Sequence, residues 1–270
     1  MRPGPAGTRT EMDSTDRNPS EGEIERLRRA LDAETERRLH VEKQLEQAGV
    51  DFEEFISMAA HNLREPLRVV ASYAQLMAET YSGRLDSDAD SHLSTMQDGV
   101  RSMQSLLTDM VEYWATDPAD SQPSPTDMET ALRQALLVTD KQLTEAGATV
   151  THDPLPAVTG QFEILTKVLR HLIGNAVKFR GATPPRIHVS SRREDLEYVF
   201  SVEDNGPGID PAFRERIFDV FKRLHGKEFP GTGLGLAFCR KAIERQGGRM
   251  WVESKIGAGA TFCFTLPAAD

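Results

Sequence analysis

A chain of 270 residues with 42 acidic and 32 basic side chains carries a formal net charge of −10, which opposes a broad grip on nucleic-acid phosphates or anionic lipid. Its apolar runs are only a few residues long, short of the roughly 18–20 needed to cross a bilayer, and no charged-then-apolar leader opens it. Cys239 and Cys263 are too few for a disulfide framework or a thiolate zinc site, and the histidines show no ligand spacing. A soluble cytoplasmic protein with no nucleic-acid or membrane partner is expected.

Residues 1–20 hold Pro, Gly, Ser, Thr and charge with almost no large apolar side chain, so a disordered tail is expected there. From Glu21 the pattern changes. Ile24, Leu27, Leu31, Val41, Leu45, Ala48, Phe52, Phe55 and Ala59 fall on spacings of three and four, a heptad seam broken at Glu34 and Arg38. The seam predicts a parallel coiled-coil dimer over 21–51, a single amphipathic helix lying on a core being the alternative. It continues through Leu63, Leu67, Val70, Ala74, Met77 and Tyr81 to Ser82-Gly83, and Pro66 is expected to kink it. A second run, Leu93, Met96, Val100, Met103, Leu107, Met110 and Trp114, keeps the same alternation. Residues 52–116 therefore predict a helical hairpin whose apolar stripes are covered when two hairpins form a dimeric four-helix bundle.

Thr116 to Thr126 contains three prolines and no large apolar residue, the composition of a linker, assigned to 117–126. Beyond it the pattern is mixed. Helices are predicted near Met128–Leu143, Gln161–Phe179, Pro211–Phe218 and Leu234–Arg245. Extended segments are predicted at Ala148–Thr151, Arg186–Arg192 and Glu197–Glu203, with a closing hairpin of Arg249–Ser254 and Ala260–Leu266. Adjacent strand pairs with intervening helices indicate an α/β two-layer sandwich over 127–270.

Four features carry chemistry. Gly231-Thr-Gly-Leu-Gly-Leu236 runs straight into a helix, placing free backbone amides where phosphate is favoured, and reads equally as a flexible loop. Glu203-Asp-Asn-Gly-Pro-Gly-Ile-Asp210 sets Asp204 just before a tight turn; its carboxylate can accept from the exocyclic amine of a base, or the segment is a simple β-turn. His171, Asn175 and Lys178 share one helix face at i, i+4 and i+7, a neutral oxygen and a lysine suited to Mg²⁺ and phosphate, or else a polar surface stripe. Finally, His61 in Ala59-Ala-His-Asn-Leu-Arg-Glu-Pro-Leu67 occupies an outward position of the heptad.

In this order the segments resemble the sensor histidine kinases of two-component signalling, over about Phe52 to Pro267. His61-Asn-Leu-Arg-Glu-Pro-Leu67 resembles the phosphoacceptor box in the Glu-Pro-Leu style of phytochrome-like kinases. Leu169–Arg180 is similar to the asparagine box, Asp204–Gly208 and Gly231–Gly235 to the two glycine boxes, and Ile217–Leu224 to the phenylalanine box. The resemblance implies a HisKA-type dimerisation and phosphotransfer domain followed by a GHKL ATP-binding fold, working as a homodimer with ATP and Mg²⁺. His61 would be the phosphoacceptor, with Asn62, Glu65 and His171 as further catalytic positions. Asn175 would hold Mg²⁺, Lys178 the phosphates and Asp204 the adenine amine. Gly206 and Gly208 would border the base, Gly231, Gly233 and Gly235 the phosphates, and residues 225–230 would form a lid. The expected phosphoryl recipient is a response regulator receiver domain.

Two positions depart from the family pattern. Asn62 stands where the kinases commonly carry Asp or Glu, so it can accept a hydrogen bond but not a proton. His171 stands where they often carry Asn and where hydrolytic GHKL enzymes hold a glutamate base, so it implies either some ATP hydrolysis or a contact behind the metal site. A folded sensor of the usual length of about 100 residues is not expected before the hairpin. The expected input is a separate sensor protein gripping the coiled coil, or the kinase's own assembly.

Overall fold

The computed structural model describes residues 21–81, 83–84, 86–114, 123–223 and 231–269. The tail expected over 1–20, linker residues 116–122, the lid over 225–230 and the side chains of the seam residues Ile24 and Leu27 lie outside them. Close packing divides the chain into two units, one ending at Phe52 and one beginning at Glu53.

The first unit is the N-terminal part of helix α1, Glu21–Tyr81. Leu31, Leu39 and Leu45 are 65%, 60% and 74% exposed, so this single chain leaves its apolar seam uncovered. Glu34 and Arg38, which break the seam, pair with each other along the helix at 3.5 Å. An exposed i,i+4 pair of this kind contributes about 0.3–0.5 kcal/mol, enough to tolerate the break but not to drive assembly.

In the second unit α1 turns at Gly83, whose φ of 68° suits glycine, and Asp86 caps the start of α2, Ser87–Trp114, by accepting from the Ala89 amide at 2.8 Å. Ile56, Ala60 and Ala74 of α1 and Leu93, Val100 and Leu107 of α2 are all buried, and Gln97 Nε2 donates to the Ala74 carbonyl at 3.4 Å. Leu63, Val70, Met77, Met96 and Met103 remain 45–51% exposed, a second apolar stripe along the hairpin. Helix α1 is continuous across Pro66. The proline nevertheless removes the amide that would have met the Asn62 carbonyl, leaving that acceptor one residue from His61.

The α/β part contains β1 (Ser124–Asp127), α3 (Met128–Glu145), β2 (Thr149–His152), β3 (Ala157–Gly160) and α4 (Phe162–Lys178). After these come β4 (Arg186–Glu194), β5 (Glu197–Asp204), α5 (Gly235–Arg245), β6 (Met250–Ser254) and β7 (Ala260–Pro267). The main sheet has the order β2-β4-β5-β7-β6; β2 and β4 are parallel and the other neighbours antiparallel. Helix α4 buries Leu165, Val168, Leu169, Leu172, Ile173 and Ala176 in one core with Phe200, Val202, Phe262 and Phe264 of the sheet. Truncating one such leucine to alanine costs about 2–5 kcal/mol. The layers are those of the two-layer α/β sandwich.

Two local differences from the sequence pattern stand out. The end of the linker is strand β1, paired antiparallel with β3, and the buried Thr126 hydroxyl donates to the Gly160 carbonyl at 2.8 Å. Pro125 fits because the ribbon has only two strands, leaving an unpaired side. The helix expected at Pro211–Phe218 is instead two 3₁₀ turns, Pro211–Phe213 and Arg216–Phe218. Eight residues are too few to repay helix nucleation without a continuous apolar face.

Candidate nucleotide site

Helix α4 delivers His171, Asn175 and Lys178 to one cavity, together with Asp204 from the end of β5 and Gly208 from the following loop. Gly231, Thr232, Gly233 and Gly235 line the cavity beside Lys178 and His171, and Ile209, Ile217, Leu236 and Phe262 add apolar side chains to it. The apolar side chains are of the kind that suit a base, and Lys178, Lys222 and Arg223 supply cations of the kind that suit phosphates. Burial holds Lys178 below its usual lysine value, Arg223 adds to that effect, and Asp109 opposes it. A half-buried ammonium disfavoured in this way is a ready partner for an anion.

Asp204 is fixed by its own loop. Its Oδ1 accepts from the amides of Gly206 at 2.8 Å and Ala260 at 3.2 Å, leaving Oδ2 for a ligand donor. Burial raises its carboxyl above the ordinary range, only partly offset by those two amides. Gly206 lies behind this carboxylate, outside the cavity wall, where a Cβ would sit 2.8 Å from Oδ1 and 3.0 Å from the Phe179 carbonyl. At Gly208, φ is 78° and a Cβ would collide with the Lys255 carbonyl; at Gly231, φ is 148° and it would strike the Lys178 ammonium. Asn205 holds the loop by accepting from the Arg186 amide at 2.7 Å and donating to the Pro184 carbonyl at 3.1 Å.

At the start of α5 the cap residue Leu234 supplies no side-chain bond to the first turn, and the Thr232 hydroxyl accepts from the Leu234 amide at 3.3 Å. The remaining first-turn amides point out of the helix beside the glycines, the setting that favours phosphate. Asn175 is a neutral oxygen donor on the same wall, and among the described residues no group of three His, Cys, Asp or Glu side chains could hold a metal. The fit is to a Mg²⁺ that takes one protein oxygen and completes its shell from phosphate and water.

The sequence pattern alone does not reveal the third wall. Asp109 of α2 lines the cavity and accepts from the Thr232 hydroxyl at 2.5 Å. Glu112, whose side chain is only 9% exposed, accepts from Arg170 Nη2 at 2.7 Å and lies 2.9 Å from His171 Nε2. Burial works to raise the Glu112 carboxyl, but His171, Arg170 and Lys167 together hold it below the usual range. An ionised Glu112 can only accept, so His171 carries its proton on Nε2, with Nδ1 on the side of Gly235. The i,i+3 spacing of Asp109 and Glu112 puts them on one face of α2, which without the fold reads as an ordinary polar stripe.

His61, Asn62 and Glu65 lie on α1, exposed and outside the cavity wall, with Glu65 paired to Arg68 at 3.3 Å. Residues 53–113 match the model of the His Kinase A (phospho-acceptor) domain, and residues 160–270 that of the histidine kinase-, DNA gyrase B- and HSP90-like ATPase. The chain is a sensor histidine kinase module. Among curated relatives, this kinase module is 44% identical over 83% of its length to cyanobacterial phytochrome A of Nostoc sp.. It is 39% identical over 84% of its length to the phytochrome-like protein Cph1 of Synechocystis sp.. The module spans 29% and 31% of the lengths of those two proteins. Full-length ShkA, solved in complex with AMPPNP, aligns with 80% of the module and 46% of its own chain at 29% identity and a TM-score of 0.61. Among the described residues, no helix of the module is long and apolar enough to cross a membrane.

Proposed function

We propose that the chain is an ATP-dependent protein-histidine kinase that phosphorylates its own His61 and passes the phosphoryl group to an aspartate of a response regulator receiver domain. The observation that carries this reading is the convergence of Asp204, Lys178, Asn175 and the 231–235 loop on one cavity, in a chain that also presents His61 on an exposed helix. Asp204 Oδ2 accepts from the adenine amine, Lys178 meets the phosphate oxygens, and Asn175 offers its oxygen to Mg²⁺. The metal, when bound, neutralises phosphate charge. A neutral His61 nitrogen attacks the γ-phosphorus, the N–P bond forms, and the bond to the ADP oxygen breaks. The proton on the other ring nitrogen must then leave. Asn62 can orient that N–H but not take its proton; Glu65, one turn along the same exposed face, supplies the nearer carboxylate.

The working unit in this proposal is a homodimer, because Leu31, Leu39 and Leu45 of the first unit and Leu63, Val70 and Met77 of the hairpin are apolar side chains that the single chain leaves exposed. A partner sensor protein gripping the coiled coil would supply the signal, and ATP and receiver domains place the reaction in the cytoplasm. Incubation with γ-labelled ATP and Mg²⁺ tests the reading: acid-labile label on the chain supports it, and nucleotide binding without label opposes it.

Asn62 favours a second reading, a weakly active relative serving as a phosphotransfer or scaffolding dimer. Asn62→Asp separates the two. A carboxylate beside His61 raises the autophosphorylation rate roughly tenfold or more, within the ordinary range of general-base contributions. A rate that is unchanged or lower in stopped time courses removes Asn62 as the cause of slow transfer.

A further inference from the structure

The contacts from α2 fall on the two elements that must receive nucleotide. Asp109 bonds to Thr232 between the glycines of the phosphate loop at 2.5 Å, and Glu112 engages Arg170 and His171 on α4. The same face is secured by Lys241 Nζ, which donates to the Tyr113 carbonyl at 2.9 Å. These contacts put an acidic side chain where an anionic ligand belongs. Asp109 lines the cavity beside Lys178, the cation best placed for phosphate. His61 of the same chain, by contrast, is exposed and outside the cavity wall, so this arrangement of hairpin and ATP-binding domain does not bring a chain's own acceptor to its own site.

Resting on the reading of this cavity as an ATP site, we propose that Asp109 and Glu112 form an autoinhibitory latch. While α2 is docked, the Asp109 carboxylate competes with the nucleotide's phosphates for Thr232 and Lys178, so docking and ATP binding weaken each other. Glu112 supplies the grip. Its carboxylate is nearly sealed from water and held by charge-assisted bonds, which are stronger than neutral ones. Asp109 supplies the antagonism, because two anions cannot share one small set of donors without mutual repulsion. Linkage makes the effect reciprocal: the factor by which docking weakens ATP is the factor by which ATP weakens docking. A movement of the hairpin that frees Glu112 would therefore open the site to ATP and release the domain to reach His61 in one step.

The test is calorimetric titration of the full chain with AMPPNP and Mg²⁺, in the unaltered protein and in Asp109→Asn and Glu112→Gln. Both variants are expected to bind about three- to tenfold more tightly, the fraction of docked protein no longer subtracting from the apparent affinity. In the unaltered protein, AMPPNP is expected to speed amide hydrogen exchange over residues 105–114, a readout that needs no variant. Unchanged or weaker binding by Asp109→Asn, or exchange at the end of α2 that is indifferent to AMPPNP, overturns the latch alone. An unaltered chain that binds no AMPPNP overturns the ATP reading and the latch with it.

Discussion

Asp204→Asn lowers the affinity for ATP by about 100-fold or more, while the thermal midpoint of the free protein stays the same or rises slightly. The two halves of this result have separate causes. An asparagine oxygen can still accept from the Gly206 and Ala260 amides, so the loop keeps its fixed shape. Burial disfavours the charged carboxylate, and removing that charge relieves the fold. Towards adenine, however, the variant presents an NH₂ group to an NH₂ group in a partly sealed pocket. Losing a charge-assisted bond and leaving a donor unpaired amounts to about 3 kcal/mol, or some 100-fold. The pH dependence carries the same signature. The raised Asp204 carboxyl protonates, as pH falls, before an ordinary aspartate at 3.8 would. In the proposed adenine contact the ionised form is the acceptor, so nucleotide affinity is expected to begin falling on the acid side at a higher pH than an unperturbed aspartate allows. The free fold moves the other way at this group: a folded value above the unfolded one favours the native state below that value, and the advantage is lost as pH rises through it. Asp204→Asn abolishes the group's acid-side loss of affinity, which titration of nucleotide binding between pH 4 and 8 checks.

His61→Gln binds AMPPNP as tightly as the unaltered chain and acquires no phosphoryl label. The side chain is exposed on α1 and contributes nothing to the cavity wall, so neither fold nor nucleotide affinity depends on it. In the proposed reaction His61 is the nucleophile, and glutamine has no imidazole lone pair to replace it. Mixing His61→Gln with Asp204→Asn chains extends the experiment. In a mixed dimer one chain holds the only working ATP site and the other the only acceptor, so label that reappears on mixing assigns transfer between protomers. Label that stays absent from mixed dimers assigns it within one.

The parts of this molecule that the sequence pattern reveals are those whose cause is local. Helix α4 repeats apolar residues with a helical period over its whole length, and its observed span, Phe162–Lys178, lies within one residue of the expectation at each end. Gly208 and Gly231 are legible because each stands in a glycine-bearing turn whose backbone takes a positive φ, 78° and 148°, that favours glycine. Strand β3 is hidden because Ala157–Gly160 is too short to display a period of two, and β1 because its pairing rescues a stretch that otherwise has the composition of a linker. The latch residues are harder still. Glu112 meets Arg170 across 58 positions and Asp109 meets Thr232 across 123, so their partners exist only once the hairpin lies against the ATP-binding domain. A carboxylate on a helix face has the same appearance in sequence whether it faces water or a buried arginine. Burial is what separates the two, and burial is a property of the assembled fold.

The most direct test of the kinase reading is to incubate the full chain with γ-labelled ATP and Mg²⁺ and map the modified residue under alkaline conditions. Label that is acid-labile and alkali-stable, recovered on the peptide containing His61 and absent from His61→Gln, is the expected result. Phosphate released at full rate with no label on the chain, or label that persists in His61→Gln, contradicts it.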